Sequence, residues 1–388
     1  MVEIERGAAG DERCSTNHGR APCVHPHARV ETPFADGIEQ AQKITAAGIA
    51  GPFPEGVPAL AVVGRGRTSS SSIMNTPPLS SLRLPVVGLT MIIVLGATGY
   101  VGSKFIERLQ ARGLDHLGLS RAQVDYTRLG ELRDALRSAA ADQPRFLINA
   151  AGYTGKPNVD ACETDRAACL EGNATFPGRV AEVCAELGLP WGQVSSGCIF
   201  QGTRDDDAPF TEDDEPNFSF RRSPCSWYSG TKALGEEVIA GAPDCFVWRL
   251  RIPFNHEDNP RNYLTKLIRY PRLIDVENTI SHLDEFVDTC ISCHTEDVAP
   301  GVYNLVNPGM VTAREVAALL TEAGLISHEI DWFESMEAFN AAVKTPRSNC
   351  ELDPAKIGAA GLPMRPVAEA LADSIARYRV QQLSLSKA

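Results

Sequence analysis

Five apolar residues, Met91-Ile92-Ile93-Val94-Leu95, run directly into Gly96-Ala97-Thr98-Gly99-Tyr100-Val101-Gly102 and then into an amphipathic stretch that ends near Arg112. This order of strand, glycine turn and helix constrains the chain more than any other feature, because each glycine is needed for a different reason. Gly96 makes the tight turn out of the strand. Gly99 lets backbone come up against a pyrophosphate, and Gly102 lets the helix pack closely on the strand. The open amides of the turn and first helical residues, from Thr98 through Tyr100 and Val101, then hold the phosphates. A dinucleotide cofactor is therefore expected here.

The alternation continues along the chain. Further strands are expected at 116–120, 146–152 and 191–195, with helices at about 129–139 and 160–187 between them. Strands that alternate with helices imply an α/β fold on a doubly wound parallel Rossmann sheet. Residues 91–250 read as the cofactor-binding domain and 251–388 as a smaller C-terminal α/β substrate lobe, partly interwoven with it. An NAD site places an acid at the end of the second strand to accept the ribose hydroxyls. The chain has Ser120-Arg121 there, a hydroxyl and a cation that suit a 2′-phosphate, so NADPH is preferred and NADH is the second choice. Asp125 and Tyr126 follow where adenine would lie, and Asn149-Ala150-Ala151-Gly152 would line the cofactor.

Composition sets the first ninety residues apart from this unit. They hold 2 of the 26 aromatic residues, nine prolines and the run Ser69-Ser70-Ser71-Ser72. Without large apolar side chains such a segment cannot offset its ordering entropy, so 1–90 reads as a disordered, non-catalytic arm. It lacks a charged-then-apolar signal pattern, and acids such as Glu3, Glu5, Asp11 and Glu12 are foreign to transit peptides. Its 8 basic and 8 acidic side chains balance, so the net charge of −12 falls wholly on the rest and argues against a nucleic-acid partner. With no run of eighteen apolar residues, no membrane span is expected. Eleven cysteines, an odd number in a long chain with a real core, read as reduced thiols of a cytoplasmic protein. Cys290 and Cys293 form a C-x-x-C, yet no second pair completes a zinc set, so no metal is expected.

Tyr228-Ser229-Gly230-Thr231-Lys232 is the set that turns a binding fold into an oxidoreductase. Tyrosine and lysine four apart share one face of a helix. The ammonium is expected to lower the phenol pKa and to hold the nicotinamide ribose, while the phenol delivers a proton to a carbonyl oxygen that receives hydride at carbon. A hydroxyl at the end of the fourth strand should bond the same oxygen. Of Ser195-Ser196, that role is assigned to Ser196.

The Gly-x-x-Gly-x-x-Gly spacing is the form used by short-chain dehydrogenases/reductases. From Met91 to about Ile357 the chain resembles the extended members that make nucleotide-activated rhamnose, in particular the bifunctional 3,5-epimerase/4-reductases known from plants. The likeness is carried by segments spread along the chain: 151–163 (AGYTGKPNVDACE), 195–200 (SSGCIF), 210–218 (FTEDDEPNF), 259–266 (NPRNYLTK), 303–309 (YNLVNPG) and 346–352 (PRSNCEL). It implies a UDP- or dTDP-linked 4-keto-6-deoxyglucose as substrate and a nucleotide-L-rhamnose as product. A ketone at C4 acidifies the hydrogens on C3 and C5, so each centre inverts through an enolate. That chemistry needs an acid/base pair and an oxyanion stabiliser.

Ser196 and Tyr228 suit the oxyanion, and the resemblance implies Cys198 and Lys266 for the acid/base pair. Plain 4-reductases usually read Ser-Thr-Asp-Tyr-Val-Phe at this strand end, where this chain has Ser195-Ser196-Gly197-Cys198-Ile199-Phe200. On the residues alone, Cys198 reads as a small buried filler and Lys266 as a surface lysine. Lys156 and Asn158 are placed near the sugar, Asn173 at the cofactor–substrate junction, Arg261 and Asn262 toward the nucleotide and Arg347 toward the diphosphate, and each reads equally as a helix cap or a surface residue. His282 has no assigned role, and the acidic stretch 205–215 reads as a solvated loop. The insertion Phe220-Arg221-Arg222-Ser223-Pro224-Cys225 before Tyr228 departs from the family pattern.

Two other functions share these residues. A 4-keto reductase without epimerase activity needs everything except Cys198 and Lys266, whereas a non-catalytic NADP-binding regulatory subunit would not need Ser196, Tyr228 and Lys232 together. A 4,6-dehydratase would need an Asp-Glu pair where Gly197-Cys198 stand. The enzyme that forms the keto sugar is thus expected to be a separate protein, and a homodimer is the family-level expectation.

Overall fold

The computed structural model describes residues 91–140 and 144–385; the arm expected at 1–90 lies outside the described residues. Strands β1 (Met91–Leu95), β2 (His116–Leu119), β3 (Pro144–Asn149), β4 (Trp191–Ser196), β5 (Cys245–Leu250) and β6 (Val302–Asn304) form one sheet in the order β6-β5-β4-β3-β1-β2. Every pairing in it is parallel. The order reverses between β1 and β3, so a crevice for a ligand opens there, beyond the carboxyl ends of the strands.

Helices cover both faces, and β1 shows why its sequence is apolar throughout. Ile92 and Val94 face a core shared with Phe105, Phe146, Trp248 and Phe286, while Ile93 and Leu95 face the opposite core with Leu132, Leu147, Val180 and Trp191. The first core lies under α1 (Tyr100–Ala111) and α6 (Leu283–Thr295), the second under α2 (Leu129–Ala140) and α3 (Phe176–Leu187). Gly192 on β4 leaves room for the neighbouring indole: a Cβ there would stand 2.0 Å from the Trp248 ring.

Several elements differ from expectation, and β5 and β6 were not expected from the sequence. The helix expected over 160–187 is divided into a 3-10 turn (Val159–Glu163), a short helix (Arg166–Leu170), a π turn (Glu171–Thr175) and α3. Asn158 caps the first piece by accepting from the Asp160 amide at 2.8 Å, and Pro177, without an N–H, stands in the first turn of α3. Strand β3 stops at Asn149, three residues early, because the Asn149 side chain accepts from the Ala151 amide at 3.1 Å and draws the chain out of the ladder. Strand β4 runs one residue further than expected, to Ser196.

Helix α4 (Trp227–Val238) precedes β5, and a third core, with Phe254, Leu264, Leu267, Val316, Leu320 and Leu371, joins α5 (Tyr263–Arg269), α7 (Ala313–Glu322) and α8 (Val367–Leu385). The same half of the chain also supplies β6 to the main sheet. No helix among the described residues is long and apolar enough to cross a membrane.

Candidate active site

The glycine turn has the geometry of an anion cradle. Gly96 sits at φ +77°, and a Cβ on it would meet the Ala151 backbone at 2.8 Å. At Gly102 a Cβ would stand 2.0 Å from the Gly96 carbonyl oxygen, so only glycine lets α1 come this close. Gly99 opens α1 with no side-chain cap, and Thr98 and Gly99 are exposed, which leaves the first amides free for phosphate. The side chains of Tyr100 and Val101 pack on the core instead, so these two residues offer their backbone.

At the end of β2 the Ser120 hydroxyl donates to Gln123 Oε1 at 2.7 Å and Arg121 is exposed beside it. Asp125 is exposed, and the Thr127 hydroxyl bonded to it holds its carboxyl below the usual range. Tyr126 does not form an adenine wall: it is buried, with its ring 5.2 Å from Phe176 in the core. Asn149 is likewise turned inward, donating to Gln193 Oε1 at 2.8 Å, and it supports the loop 150–152 from below. Ala151 abuts Gly96, and Gly152 is exposed; a Cβ on Gly152 would come 3.4 Å from Lys232 Nζ.

Ser196 ends β4, and Tyr228 and Lys232 stand one turn apart on α4. The helix starts at Ser226, whose hydroxyl accepts from the Ser229 amide at 3.0 Å and so fixes the turn that bears Tyr228. Lys232 is buried and donates to the Val194 carbonyl at 3.4 Å. Burial pushes the Tyr228 phenol up and the neighbouring Cys198 adds to this, while a hydrogen bond with Ser196 opposes it. The lowering expected from Lys232 is not among the influences on this phenol: desolvation wins, and the phenol keeps its proton. Burial also pushes the Lys232 ammonium down, against the pull of Cys169 and Glu236.

Of these groups Tyr228 lines a cleft, together with Cys198, Arg251, Arg261, Lys266 and Arg347. Arg261 donates to Thr154 Oγ1 at 2.6 Å and to the Gly155 carbonyl at 2.7 Å, and Arg347 is paired with Asp160 at 2.6 Å. Burial, then Arg261 and Arg347, push the Lys266 amine down to about 8, with Cys198 opposing. Four cations around one cleft fit an anionic ligand, although the whole chain is acidic.

Other expected binding residues are spent on the fold. Lys156 is exposed and does not line the cleft. Asn173 is buried, accepting from the Tyr153 amide at 2.9 Å and donating to the Tyr153 carbonyl at 2.8 Å. Asn262 is buried too, and caps α5 by accepting from the Leu264 amide at 3.1 Å. Asn158 reaches the cleft, with its carboxamide oxygen taken by Asp160. His282 caps α6: its Nδ1 accepts from the Glu285 amide at 3.3 Å. Cys290 and Cys293 are buried in the first core, and burial pushes the Cys293 thiol up to about 12.

Two residues were missed in the sequence. Glu236, one turn beyond Lys232, accepts from Arg249 at 2.9 Å and from the Ser195 hydroxyl, and the i, i+4 spacing from Lys232 was its signal. Arg251 follows β5 and donates to Cys198 Sγ at 3.0 Å. The nearest cation to the thiol is thus Arg251, where Lys266 was expected.

A family model described as the RmlD substrate binding domain matches residues 90–380. The chain belongs to this RmlD family. Relatives include the bifunctional dTDP-4-dehydrorhamnose 3,5-epimerase/dTDP-4-dehydrorhamnose reductase of Arabidopsis thaliana, 31% identical over 274 residues, which cover 68% of this chain and 85% of that one. A trifunctional UDP-glucose 4,6-dehydratase/UDP-4-keto-6-deoxy-D-glucose 3,5-epimerase/UDP-4-keto-L-rhamnose-reductase of the same plant is 29% identical over 296 residues. That match takes 74% of this RmlD-family chain but 42% of the longer relative. Among solved structures, a UDP-rhamnose synthase from Acanthamoeba polyphaga mimivirus has a TM-score of 0.68 at 23% identity, covering 75% of this chain and all (100%) of that one. A dTDP-4-dehydrorhamnose reductase from Bacillus anthracis in complex with NADP has a TM-score of 0.62 at 20% identity, covering 75% and 99%. These two likenesses speak for the fold.

Proposed function

We propose that this RmlD-family protein converts a UDP- or dTDP-linked 4-keto-6-deoxyglucose to the nucleotide-L-rhamnose, by 3,5-epimerisation followed by NADPH-dependent reduction at C4. One observation carries the reading: Tyr228 and Cys198 line the same cationic cleft as Lys266, with Ser196 hydrogen-bonded to the Tyr228 phenol. The glycine cradle and the Ser120-Arg121 end of β2 fit NADPH, which when bound would supply hydride to C4. Arg261 and Arg347 are the candidates for the diphosphate. A dehydratase on a separate protein would supply the keto sugar, and the reaction would take place in the cytoplasm.

Each protein group has a definite task in this scheme. Ser196 and the phenol of Tyr228 hydrogen-bond the C4 oxygen and stabilise the enolate that forms when a proton leaves C3 or C5. Cys198 removes the proton from one face, and Lys266 returns one to the other. At the reduction step Tyr228 gives its proton to the C4 oxygen, and buried Lys232 stands behind it to offset the charge that develops on the phenol oxygen.

The test combines the purified protein with NADPH and the 4-keto-6-deoxyglucose of either nucleotide. Nucleotide-rhamnose is the expected product, and no NADPH consumption with both nucleotide forms would sink the reading. Cys198→Ala divides the two reactions. The variant is expected to lose deuterium uptake at C3 and C5 from heavy water while it still reduces pre-epimerised ketone; unchanged uptake would leave a reductase alone, with Cys198 as filler.

A further inference from the structure

We propose that Arg251 is the fixed counter-charge of the epimerising half of the cleft, holding negative charge first on the Cys198 sulfur and then on the enolate oxygen. The inference rests on Cys198 acting as the acid/base. Arg251 is 1% exposed. Its Nη1 donates to Cys198 Sγ at 3.0 Å, and its Nη2 donates to the Ser348 carbonyl at 2.7 Å and to Asn278 Oδ1. Its Nε is buried without a partner.

What sets this guanidinium apart from Arg249, the other buried one among the described residues, is the absence of a carboxylate. Arg249, two residues earlier and equally buried, is met by Glu236 at 2.9 Å. Among the described residues Arg251 has no such ion pair, and the ionisable groups that act on it include Cys350, Cys198, Tyr228 and Tyr263, two thiols and two phenols. A guanidinium does not escape burial by losing its proton, and an unpaired buried charge is costly. The cost is met if an anion occupies the neighbouring position while the site works. Gly197 makes room for the arrangement: a Cβ on it would come 3.2 Å from Arg251 Cδ.

The charges around Cys198 are one-sided. Arg251, Lys232 and Lys266 face it as cations, and Tyr228 and Cys350 as neutral acids. In the proton-transfer step the thiolate of Cys198 takes hydrogen from C3 or C5 as a proton. The C–H pair becomes the C=C bond, the carbonyl π pair moves onto the C4 oxygen, and an S–H bond forms. The Lys266 ammonium then gives a proton to the opposite face and is left as a neutral amine, the C4 carbonyl re-forms, and exchange with water resets both groups. Arg251 keeps its own protons throughout. It is a positioning residue, acting through the sulfur and through the field at the oxygen.

Arg251→Gln keeps an amide donor toward Asn278 and Ser348 but removes the charge, so it separates this role from simple bracing. The readout is iodoacetamide labelling of Cys198 at pH 7, followed by peptide mass spectrometry. Labelling is expected to slow at least tenfold, with Arg251→Lys intermediate, and the ratio of C3/C5 exchange to reduction should fall by a similar factor. A wild-type labelling rate in folded Arg251→Gln overturns the proposal. Should that variant not fold, Arg251→Lys carries the test: Cys198 is expected to label more slowly than in the wild type, and a wild-type labelling rate in the folded lysine variant overturns the proposal. Labelling reads Arg251 and exchange reads the epimerase, so an enzyme that labels as expected but exchanges nothing refutes the epimerase reading by itself.

Discussion

Lys266 carries the clearest pH signature of any side chain in the cleft. Burial, Arg261 and Arg347 bring its amine to about 8, from an ordinary value of 10.5. In the proposed epimerisation Lys266 acts as the acid and needs its proton, so C3/C5 exchange is expected to fall as pH rises through about 8. A pH–rate profile that stays flat across that range would remove Lys266 from the role. Stability follows the opposite trend. The folded-state value lies below the unfolded one, so the folded protein disfavours the bound proton; this penalty is full below about 8 and fades as pH climbs from there toward 10.5. Lys266→Met is therefore expected to gain on the order of 2 kcal/mol at neutral pH, and little at high pH, in urea midpoints. Tyr228 and Lys232 were legible from their spacing, and Ser196 from its place at a strand end. Arg251 was not, because a basic residue just past a strand looks solvated until the segments holding Asn278 and Ser348 fold over it.

Elements deliver these groups through a few tight contacts that single substitutions can probe. The Gly102 position has backbone on the other side of the gap, 2.0 Å from a new Cβ, so neither partner can yield. Gly102→Ala should push α1 off the glycine turn and weaken NADPH binding at least tenfold in a fluorescence titration. Ser226→Ala removes the cap of α4, at a cost of about 1 kcal/mol in a denaturation midpoint, and should lower the reduction rate because Tyr228 lies in the first turn. The strands were readable to within a few residues. The divided helix was not: Cys162, Cys169, Phe176, Val180 and Val183 are all buried and keep a helical stripe across the breaks, so periodicity saw one element. The acidic loop was also only partly solvated, since Glu212 accepts from the Asn304 amide at 2.8 Å and joins the loop to β6.

At the scale of the molecule, a net charge of −12 coexists with four cations around the cleft. Binding of the diphosphate substrate should thus be local and sensitive to screening: the KM is expected to rise several-fold between low and high salt, with a smaller change in kcat. The family match begins at residue 90, and a chain started at Met91 is expected to keep whatever activity the full chain shows on the 4-keto sugar nucleotide, the two assayed side by side. The parallel sheet was evident from the alternation of elements, but β5 and β6 were not among the expected strands, and the three residues of β6 at 302–304 carry too little pattern to announce one. Ser196 and Cys198 hold a last consequence. The Ser196 hydroxyl accepts from the Cys198 amide at 3.2 Å, and thereby caps the turn on which the thiol sits. Any residue but proline at 198 supplies that amide, whereas only a hydroxyl or its like at 196 receives it. Under the proposed function inheritance would be lopsided: a descendant could shed epimerisation by one change at 198 and keep reduction, but a change at 196 that spoils reduction would also unseat the thiol.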